Sequence, residues 1–310
     1  MRLALVVNPS SGTAPEPARL AALLGAGGAQ VSVTAIGELA PDGGAELDAT
    51  SLAAAARALS RRGVPDRIVV AGGDGSLGLT ALLAAEMGVP LAIVAVGTAN
   101  DFARAQDLPL ELEPACALAC DPRAATRRTE LALAGTRPFV NAAAAGLSVQ
   151  AAREASPYKS RLGPLAYAAG ALRAGVTGSP LHCRVRCDGR ESYAGRAWQI
   201  VVAATGAFGG GSEIGPTSPT DARLDVAIVP AGSRLGLLRR AWGMRRGRLT
   251  AQPGVAHQSA ATIEIDMGEP DPTFNVDGEL CRCEPAHFTL RPGGFEVIVA
   301  GATAHARGVG

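Results

Sequence analysis

The stretch VVAGGDGSLG, residues 69–78, joins a short apolar run to a turn that consists largely of glycine. Valines followed by glycines are typical of a buried strand that ends in a tight turn before a helix. A glycine turn lets backbone N–H groups approach an anion, and the N-terminus of the following helix adds favourable partial charge. Asp74 lies inside this turn, either as a helix cap or as a ligand of a cation that lies between it and a phosphate.

The composition restricts the class of protein. The chain has 310 residues, of which 47% are hydrophobic and 18% charged, so one large or two ordinary globular domains are expected. The net charge of +1 gives no overall field that would attract nucleic acid. No apolar run reaches about 18 residues, which predicts no spanning helix. The N-terminus resembles a first strand more than a signal peptide, and we therefore expect a cytoplasmic protein.

Two patterns of secondary structure divide the chain. Residues 1–127 alternate between short apolar strands and amphipathic helices, which predicts a doubly wound α/β domain with a parallel sheet. Residues 128–294 contain mostly short extended runs, which predicts a second domain of antiparallel strands. The segment 295–310 is a candidate to complete the first domain.

Three turns in the first domain follow strands, at residues 8–12 (NPSSG), 72–76 (GGDGS) and 97–101 (GTAND). The carboxyl ends of parallel strands meet at one edge of a sheet, so these turns should converge there. No Gly-Lys-Ser/Thr phosphate loop is present in the sequence. Three converging turns favour a polyphosphate ligand, and Asp74 favours Mg²⁺ as its counterion.

The motifs GGDGS, NPSSG and GTANDFAR together resemble those of the bacterial soluble diacylglycerol kinase and lipid kinase family, within the superfamily of sphingosine kinases and NAD kinases. The runs NAAAAGLSVQ, GAFGGGSEIGPTSPTDARLDV and NVDGE extend the resemblance over most of the chain. It implies a nucleotide-binding α/β domain and a C-terminal β-sandwich domain. It also implies transfer of the γ-phosphoryl group of ATP to a lipid hydroxyl, with Mg²⁺.

The resemblance also implies functional residues. Asp74 matches the aspartate that reaches the nucleotide-bound Mg²⁺, and Glu279 matches the proposed general base. A second, structural Mg²⁺ site corresponds to Ser218, Asp221 and the carbonyl of Arg223. The positions that match the nucleotide-binding turns are Asn8, Pro9, Ser10, Ser11, Gly12, Gly72, Gly73, Asp74, Gly75, Ser76, Thr98, Asn100 and Asp101.

The chain departs from the family pattern at three positions. Gly78 and Leu79 stand where the bacterial enzymes usually carry Asn-Glu, and Ala222 stands where the magnesium loop usually carries glycine. If that position requires a positive φ, the β-carbon of alanine strains the loop.

Two features outside the motifs allow more than one interpretation. The segment 233–248 has six arginines and no acid, so it is either a helix on anionic lipid headgroups or an amphipathic helix packed on its own domain. The six cysteines fall in three close pairs, whose spacing favours buried free thiols over a zinc site or disulfides.

The principal hypothesis is an ATP-dependent kinase of diacylglycerol or a related lipid alcohol, with peripheral membrane contact at the inner face and no nucleic-acid partner. The alternatives are a kinase of a soluble substrate such as NAD and a weakly catalytic nucleotide-binding regulatory module. A homodimer is left open.

Overall fold

The computed structural model divides the chain into two units. Unit 1 comprises Met1–Leu131 and Gly293–Gly310, and unit 2 comprises Ala132–Pro292. The residues that the structure describes are 1–11, 15–40, 49–155, 173–205, 207–208, 212–213, 221–234, 236–237, 249–268, 272–283 and 286–301.

Unit 1 is built on one six-stranded sheet. Its strands are β1 (Arg2–Val7), β2 (Gln30–Ala35), β3 (Arg67–Gly72), β4 (Leu91–Ala95), β5 (Ala125–Thr129) and β19 (Phe295–Val299). The strand order is β2-β1-β3-β4-β19-β5, and all neighbours run parallel except β5, which is antiparallel to β19. The C-terminal segment thus supplies a strand to the N-terminal sheet.

Helices lie on both faces of this sheet. They are α1 (Pro17–Gly25), α2 (Ile36–Leu39), α3 (Ala49–Leu59), α4 (Asp74–Met87), α5 (Asp101–Ala105) and α6 (Leu112–Cys120). Leu20 of α1 and Cys116 of α6 share a core with Leu5 and Val69 of the sheet. The helix α4 packs on β3, β4 and β19 and contacts α3. Helices on both faces of a mainly parallel sheet make a doubly wound α/β domain, which confirms the predicted class.

Unit 2 is mainly antiparallel β-structure, as predicted. Its elements are β6 (Ala132–Ala134), β7 (Arg137–Phe139), β8 (Ala142–Gly146), α7 (Leu147–Ala155), β9 (Leu181–Cys187), β10 (Arg190–Ala203), β11 (Ala207–Phe208), β12 (Ser212–Glu213), β13 (Leu224–Pro230), a 3-10 turn (Leu249–Ala251), β14 (Ala256–Ala260), β15 (Thr262–Asp266), β16 (Thr273–Val276), β17 (Glu279–Arg282) and β18 (His287–Leu290).

Eleven of these strands form one sheet that folds over its own core. The main path is β17-β16-β8-β10-β9-β15-β18-β6-β7, with β13 joined to β10 and β14. The strand β13 also contacts β15 and β18, to which it is not hydrogen-bonded, so the sheet folds into two layers that pack face to face. Phe139, Phe274 and Phe288 meet edge-on in the core between them. This is the expected sandwich-like domain.

One of the extended runs of the second domain is interrupted in the structure. The sequence of residues 137–146 has the pattern of one continuous strand. In the structure, β7 ends at Phe139 and β8 begins at Ala142. The amide groups of Val140 and Asn141 donate instead to the carboxylate of Asp277. A side chain therefore takes the place of strand pairing at this point. Within the described part of the chain, none of the helices is long and apolar enough to cross a bilayer.

Candidate active site

The three glycine turns of unit 1 are joined by direct hydrogen bonds. Asn8, at the end of β1, donates through its side-chain amide to the hydroxyl of Ser76 over 2.8 Å. The hydroxyl of Ser11 accepts from the backbone N–H of Gly73 over 3.2 Å. The predicted convergence is thus observed, because parallel strands bring their carboxyl ends to one edge.

The second and third turns touch through their backbones. A β-carbon built on Gly73 would lie 3.1 Å from the Cα of Gly97, and one built on Gly97 would overlap the Cα of Gly73. A β-carbon on Gly72 would lie 2.7 Å from the hydroxyl oxygen of Ser76. None of these three glycines has a positive φ, so close approach, and not backbone conformation, favours glycine at these positions.

Asp74 joins the second turn to the helix that follows the third. Its two carboxylate oxygens accept from the backbone N–H groups of Asp101 and Phe102, each over 3.1 Å. These N–H groups belong to the first turn of α5, where a helix has unpaired donors and positive partial charge. The Asp74 carboxylate therefore caps α5, although Asp74 itself belongs to α4. The sequence suggested a helix cap but did not indicate that the capped helix would be α5.

The third turn is closed by its own side chains. Asn100 has a φ of 53°, and its side chain accepts from the N–H of Gly97 and donates to the carbonyl of Gly97, both over 3.0 Å. Arg104 donates to the carbonyl of Ala99 over 3.1 Å, so it supports this turn. Asparagine tolerates the left-handed region better than most side chains, which explains its place here.

The other predicted nucleotide-binding positions differ in exposure. Pro9, Ser10 and Thr98 are exposed, and the N–H of Ser10 donates to the side-chain oxygen of Asn8. Gly75 is partly buried at the start of α4. Gly12 lies outside the described residues.

The two unusual residues after GGDGS are internal to α4. Gly78 and Leu79 are both buried, in a helix whose residues from Ser76 to Ala84 are all buried. An apolar side chain at position 79 fits this environment, whereas a glutamate would need a partner there. The departure from the family pattern is thus a change in packing as well as in polarity.

The residues predicted for a second Mg²⁺ are only partly described, since Ser218 lies outside the described residues. A carboxylate oxygen of Asp221 accepts from the N–H of Arg223 over 3.0 Å, and Ala222 between them has a φ of 58°. Ala222 thus occupies the left-handed conformation that strains a residue with a β-carbon. The Arg223 side chain pairs with Asp188 over 3.2 Å.

A second carboxylate near this turn is buried. Asp225 is 6% exposed and lies 2.8 Å from Nε2 of His257. Burial raises the pKa of Asp225, and the hydrogen bond to His257 opposes that shift. Among the described residues, no group of three His, Cys, Asp or Glu side chains is arranged to hold a metal ion.

Glu279, the predicted general base, begins β17 in unit 2. Its Oε2 accepts from the guanidinium of Arg137 over 2.7 Å, and the Glu279 side chain is 48% exposed. Two residues earlier, Asp277 accepts from the N–H groups of Val140, Asn141 and Ala142 over 2.8 to 3.1 Å. This anchor holds the turn that carries Glu279 against the start of β8.

Two residues of this region were missed by the sequence analysis. Arg137 contacts Glu279 although 142 positions separate them, and Asp277 was part of a recognised motif but had no assigned role. The motif could have directed attention to Asp277. Nothing local to Arg137 predicts its contact, because the contact depends on the pairing of distant strands.

The segment 233–248 lies mostly outside the described residues, including Arg239, Arg240, Arg245 and Arg246. Its first arginine, Arg234, lies over the ring of Trp198 at 5.9 Å and donates to the carbonyls of Gly175 and Gly178. Leu237 is buried in the cluster that contains Trp198. The start of the segment therefore packs on unit 2.

Comparisons with known proteins agree with the motifs. Residues 2–132 match the diacylglycerol kinase catalytic domain, and residues 141–299 match the YegS C-terminal NAD kinase beta sandwich-like domain. A protein of Pseudomonas syringae pv. syringae named "Probable lipid kinase YegS-like" is 34% identical over 266 residues, which cover 81% of this chain and 80% of that protein. A diacylglycerol kinase of Staphylococcus epidermidis is 29% identical over 227 residues, which cover 72% of this chain and 71% of that protein.

The fold is also found among solved structures. The crystal structure of a diacylglycerol kinase from Bacillus anthracis superposes with a TM-score of 0.72 over 98% of both chains, at 21% identity. At 21% identity this structural similarity shows the fold alone. Family membership is shown by the sequence matches to the two domains and to the Pseudomonas relative. The chain belongs to the YegS-like lipid kinase family and carries a diacylglycerol kinase catalytic domain.

Proposed function

We propose that this protein transfers the γ-phosphoryl group of ATP to the hydroxyl group of diacylglycerol or a related lipid alcohol, with Mg²⁺. One observation carries the proposal most directly: the turns at residues 8–11, 72–76 and 97–101 are bonded into one glycine-lined edge. Backbone N–H groups without intervening side chains suit a polyphosphate. The names of the relatives support a lipid as the acceptor.

The residues of unit 1 are compatible with Mg²⁺. This ion is usually held by one or two carboxylates together with substrate phosphates, and it does not need a dedicated cage of protein ligands. Asp74 supplies a hard oxygen ligand whose position is fixed by the N–H groups of Asp101 and Phe102. When bound, Mg²⁺ would neutralise charge on the phosphates during transfer.

Residues of the chain would bind the phosphates, accept the proton and hold the base in position. The turn residues would bind and orient the phosphates, since phosphoryl transfer depends mainly on positioning and electrostatic stabilisation. Glu279 would accept the proton of the attacking lipid hydroxyl. Arg137, which donates to the Glu279 carboxylate, would fix the orientation of that base. Asp277 would hold the turn in place through three amide bonds.

A labelling experiment tests the proposal. The purified protein is incubated with γ-labelled ATP, Mg²⁺ and, in separate reactions, diacylglycerol, a sphingoid base, phosphatidylglycerol, a bacterial lipid extract and NAD. We expect the label in an extractable lipid and none in NAD. Label in NAD alone would favour the soluble-substrate alternative, and nucleotide binding without any labelled product would favour a regulatory module.

A further inference from the structure

Two cysteines follow Glu279 closely in the chain, one on the same strand and one just after it. Cys281 lies on β17, Cys283 directly follows its last residue, Arg282, and the two sulfur atoms lie 3.6 Å apart. Cys281 is partly exposed, whereas Cys283 is buried. The strand β17 is the terminal strand of the described sheet path, which leaves it paired on one side only within that path.

We propose that Cys281 and Cys283 form a reversible redox site, at which a peroxide closes a disulfide that lowers the activity of the neighbouring Glu279. The part concerning activity rests on the proposed function, whereas the thiol chemistry does not. The two sulfur atoms are already adjacent and Cys281 is partly exposed, so closure needs no rearrangement of distant elements.

The surroundings favour attack by Cys281. Its pKa is lowered, chiefly by the hydrogen bond between its sulfur and that of Cys283, and the positive charge of Arg137 adds to this effect. The same bond, together with burial, raises the pKa of Cys283. The thiolate is the nucleophilic form of cysteine, and an accessible, activated thiol beside a second thiol is typical of redox-sensing pairs.

The reaction balances with a peroxide as oxidant. The Cys281 thiolate attacks one peroxide oxygen, the O–O bond breaks, and hydroxide leaves, which converts Cys281 to a sulfenic acid. The sulfur of Cys283 then attacks the sulfur of Cys281, the S–O bond breaks, and water leaves with the proton of the second thiol. The pair loses two electrons and the peroxide is reduced to water.

The extended backbone at the end of β17 makes this disulfide easy to reduce. Alternate Cα atoms in a strand are about 6.6 Å apart, near the upper end of the range of about 4.4–6.8 Å that disulfides span. Closure would therefore pull on β17, and strained disulfides are the labile, regulatory ones. Glu279 is the first residue of β17 and is held by Arg137, which also acts on the Cys281 sulfur. Oxidation would thus disturb the base directly.

The chain contains a matched control pair. Cys183 and Cys187 share one face of β9, but both are buried. Burial is the main cause that raises the pKa of each, to about 11 for Cys183. They are also four positions apart, about 13 Å along a strand, which is too far for a disulfide. We expect these two thiols to stay reduced while the Cys281–Cys283 pair reacts.

The test uses the reduced full-length protein with graded hydrogen peroxide, differential alkylation before and after reduction, and mass spectrometry of tryptic peptides. Oxidation at Cys281 and Cys283 should rise together, about tenfold faster than at Cys183 and Cys187. Cys283→Ser should instead leave a sulfenic acid on Cys281 that dimedone traps. Equal oxidation of all four thiols, or none at Cys281, would overturn the redox site.

The same samples are assayed for phosphoryl transfer to lipid. Activity should fall with disulfide formation and return with dithiothreitol in the wild type, and Cys281→Ser should keep its activity in peroxide. A disulfide that forms without any change in rate would overturn the link to Glu279. Reduced wild type without any transfer would contradict the proposed function and leave the thiol result intact.

Discussion

Gly73 and Gly97 lie against each other at the ends of two neighbouring strands, so closely that a β-carbon on Gly97 would overlap the Cα of Gly73. This contact joins the second glycine turn to the third. The turns are therefore one packed unit, and an added atom in one of them displaces the other.

Gly97→Ala should separate these turns. The added methyl group meets the Gly73 backbone and lies 2.8 Å from the Oδ1 atom of Asn100, so the free energy of unfolding should fall by about 1–3 kcal/mol. Nucleotide affinity should fall as well, because the turn no longer keeps its position. Urea denaturation and calorimetric titration with ATP measure the two effects.

The matched control is Gly25→Ala. Gly25 ends α1, and a β-carbon there meets nothing within 4 Å, so alanine should be neutral or slightly stabilising. If Gly97→Ala behaved like this control, the close packing of the turns would be refuted.

Asp74→Asn separates the structural role of this residue from its proposed metal role. Asparagine replaces one oxygen that accepts from the N-terminus of α5 by an NH₂ donor, so the ligand-free protein should lose about 1–2 kcal/mol of stability. Loss of the charge should also weaken ATP binding in the presence of Mg²⁺ more than in its absence.

Calorimetry with and without the metal makes this distinction. A structural effect alone would lower both affinities by the same factor. An unchanged ratio of the two affinities would therefore exclude Asp74 as a ligand of the nucleotide-bound Mg²⁺, whatever happens to stability.

The fold class of the first unit could be predicted from the sequence, whereas the contacts of the second unit could not. Apolar runs that alternate with helical spacing predict a parallel sheet, and the position of each glycine turn follows from the strand before it. The interruption between β7 and β8 at Val140 and Asn141 depends on hydrogen bonds to Asp277, which is 136 positions from Asn141 in the chain. No local pattern contains that information, because the hydrogen bonds exist only after the strands have paired.

The arginine-rich segment predicts salt-dependent membrane binding. Arg239, Arg240, Arg245 and Arg246 lie outside the described residues, so this prediction rests on sequence alone. Sedimentation with liposomes should increase with anionic lipid and decrease with salt, since basic side chains near anionic headgroups each contribute about 1 kcal/mol. Changing these four arginines to alanine should remove most of the binding.

A control variant with the same change in net charge separates this surface from a general charge effect. It changes four exposed arginines of unit 1 to alanine, namely Arg61, Arg62, Arg123 and Arg128. Equal loss of sedimentation in both variants, or no loss in either, would reject a specific membrane-binding segment.

Ala222→Gly should stabilise the protein. Ala222 has a φ of 58°, which glycine adopts without the steric cost of a β-carbon, so we expect a gain of about 1 kcal/mol in the free energy of unfolding. Ala231→Gly serves as the control, because Ala231 is not among the residues with positive φ and glycine there adds only chain entropy. Denaturant midpoints that shift equally for both variants would disprove strain at Ala222.

Glu279→Gln tests the proposed base with little change in structure. Glutamine keeps an oxygen that can accept from Arg137, so the fold and the affinity for ATP should be retained. Its amide cannot take the proton of the lipid hydroxyl, so kcat should fall by about 10²–10⁴-fold with little change in nucleotide binding. Glu264→Gln is the matched control, since Glu264 forms an exposed pair with Arg186 over 3.8 Å in the same unit and has no proposed catalytic role. A kcat near that of the wild type in Glu279→Gln would exclude Glu279 as the base, and an equal loss in both variants would attribute the effect to charge and not to proton transfer.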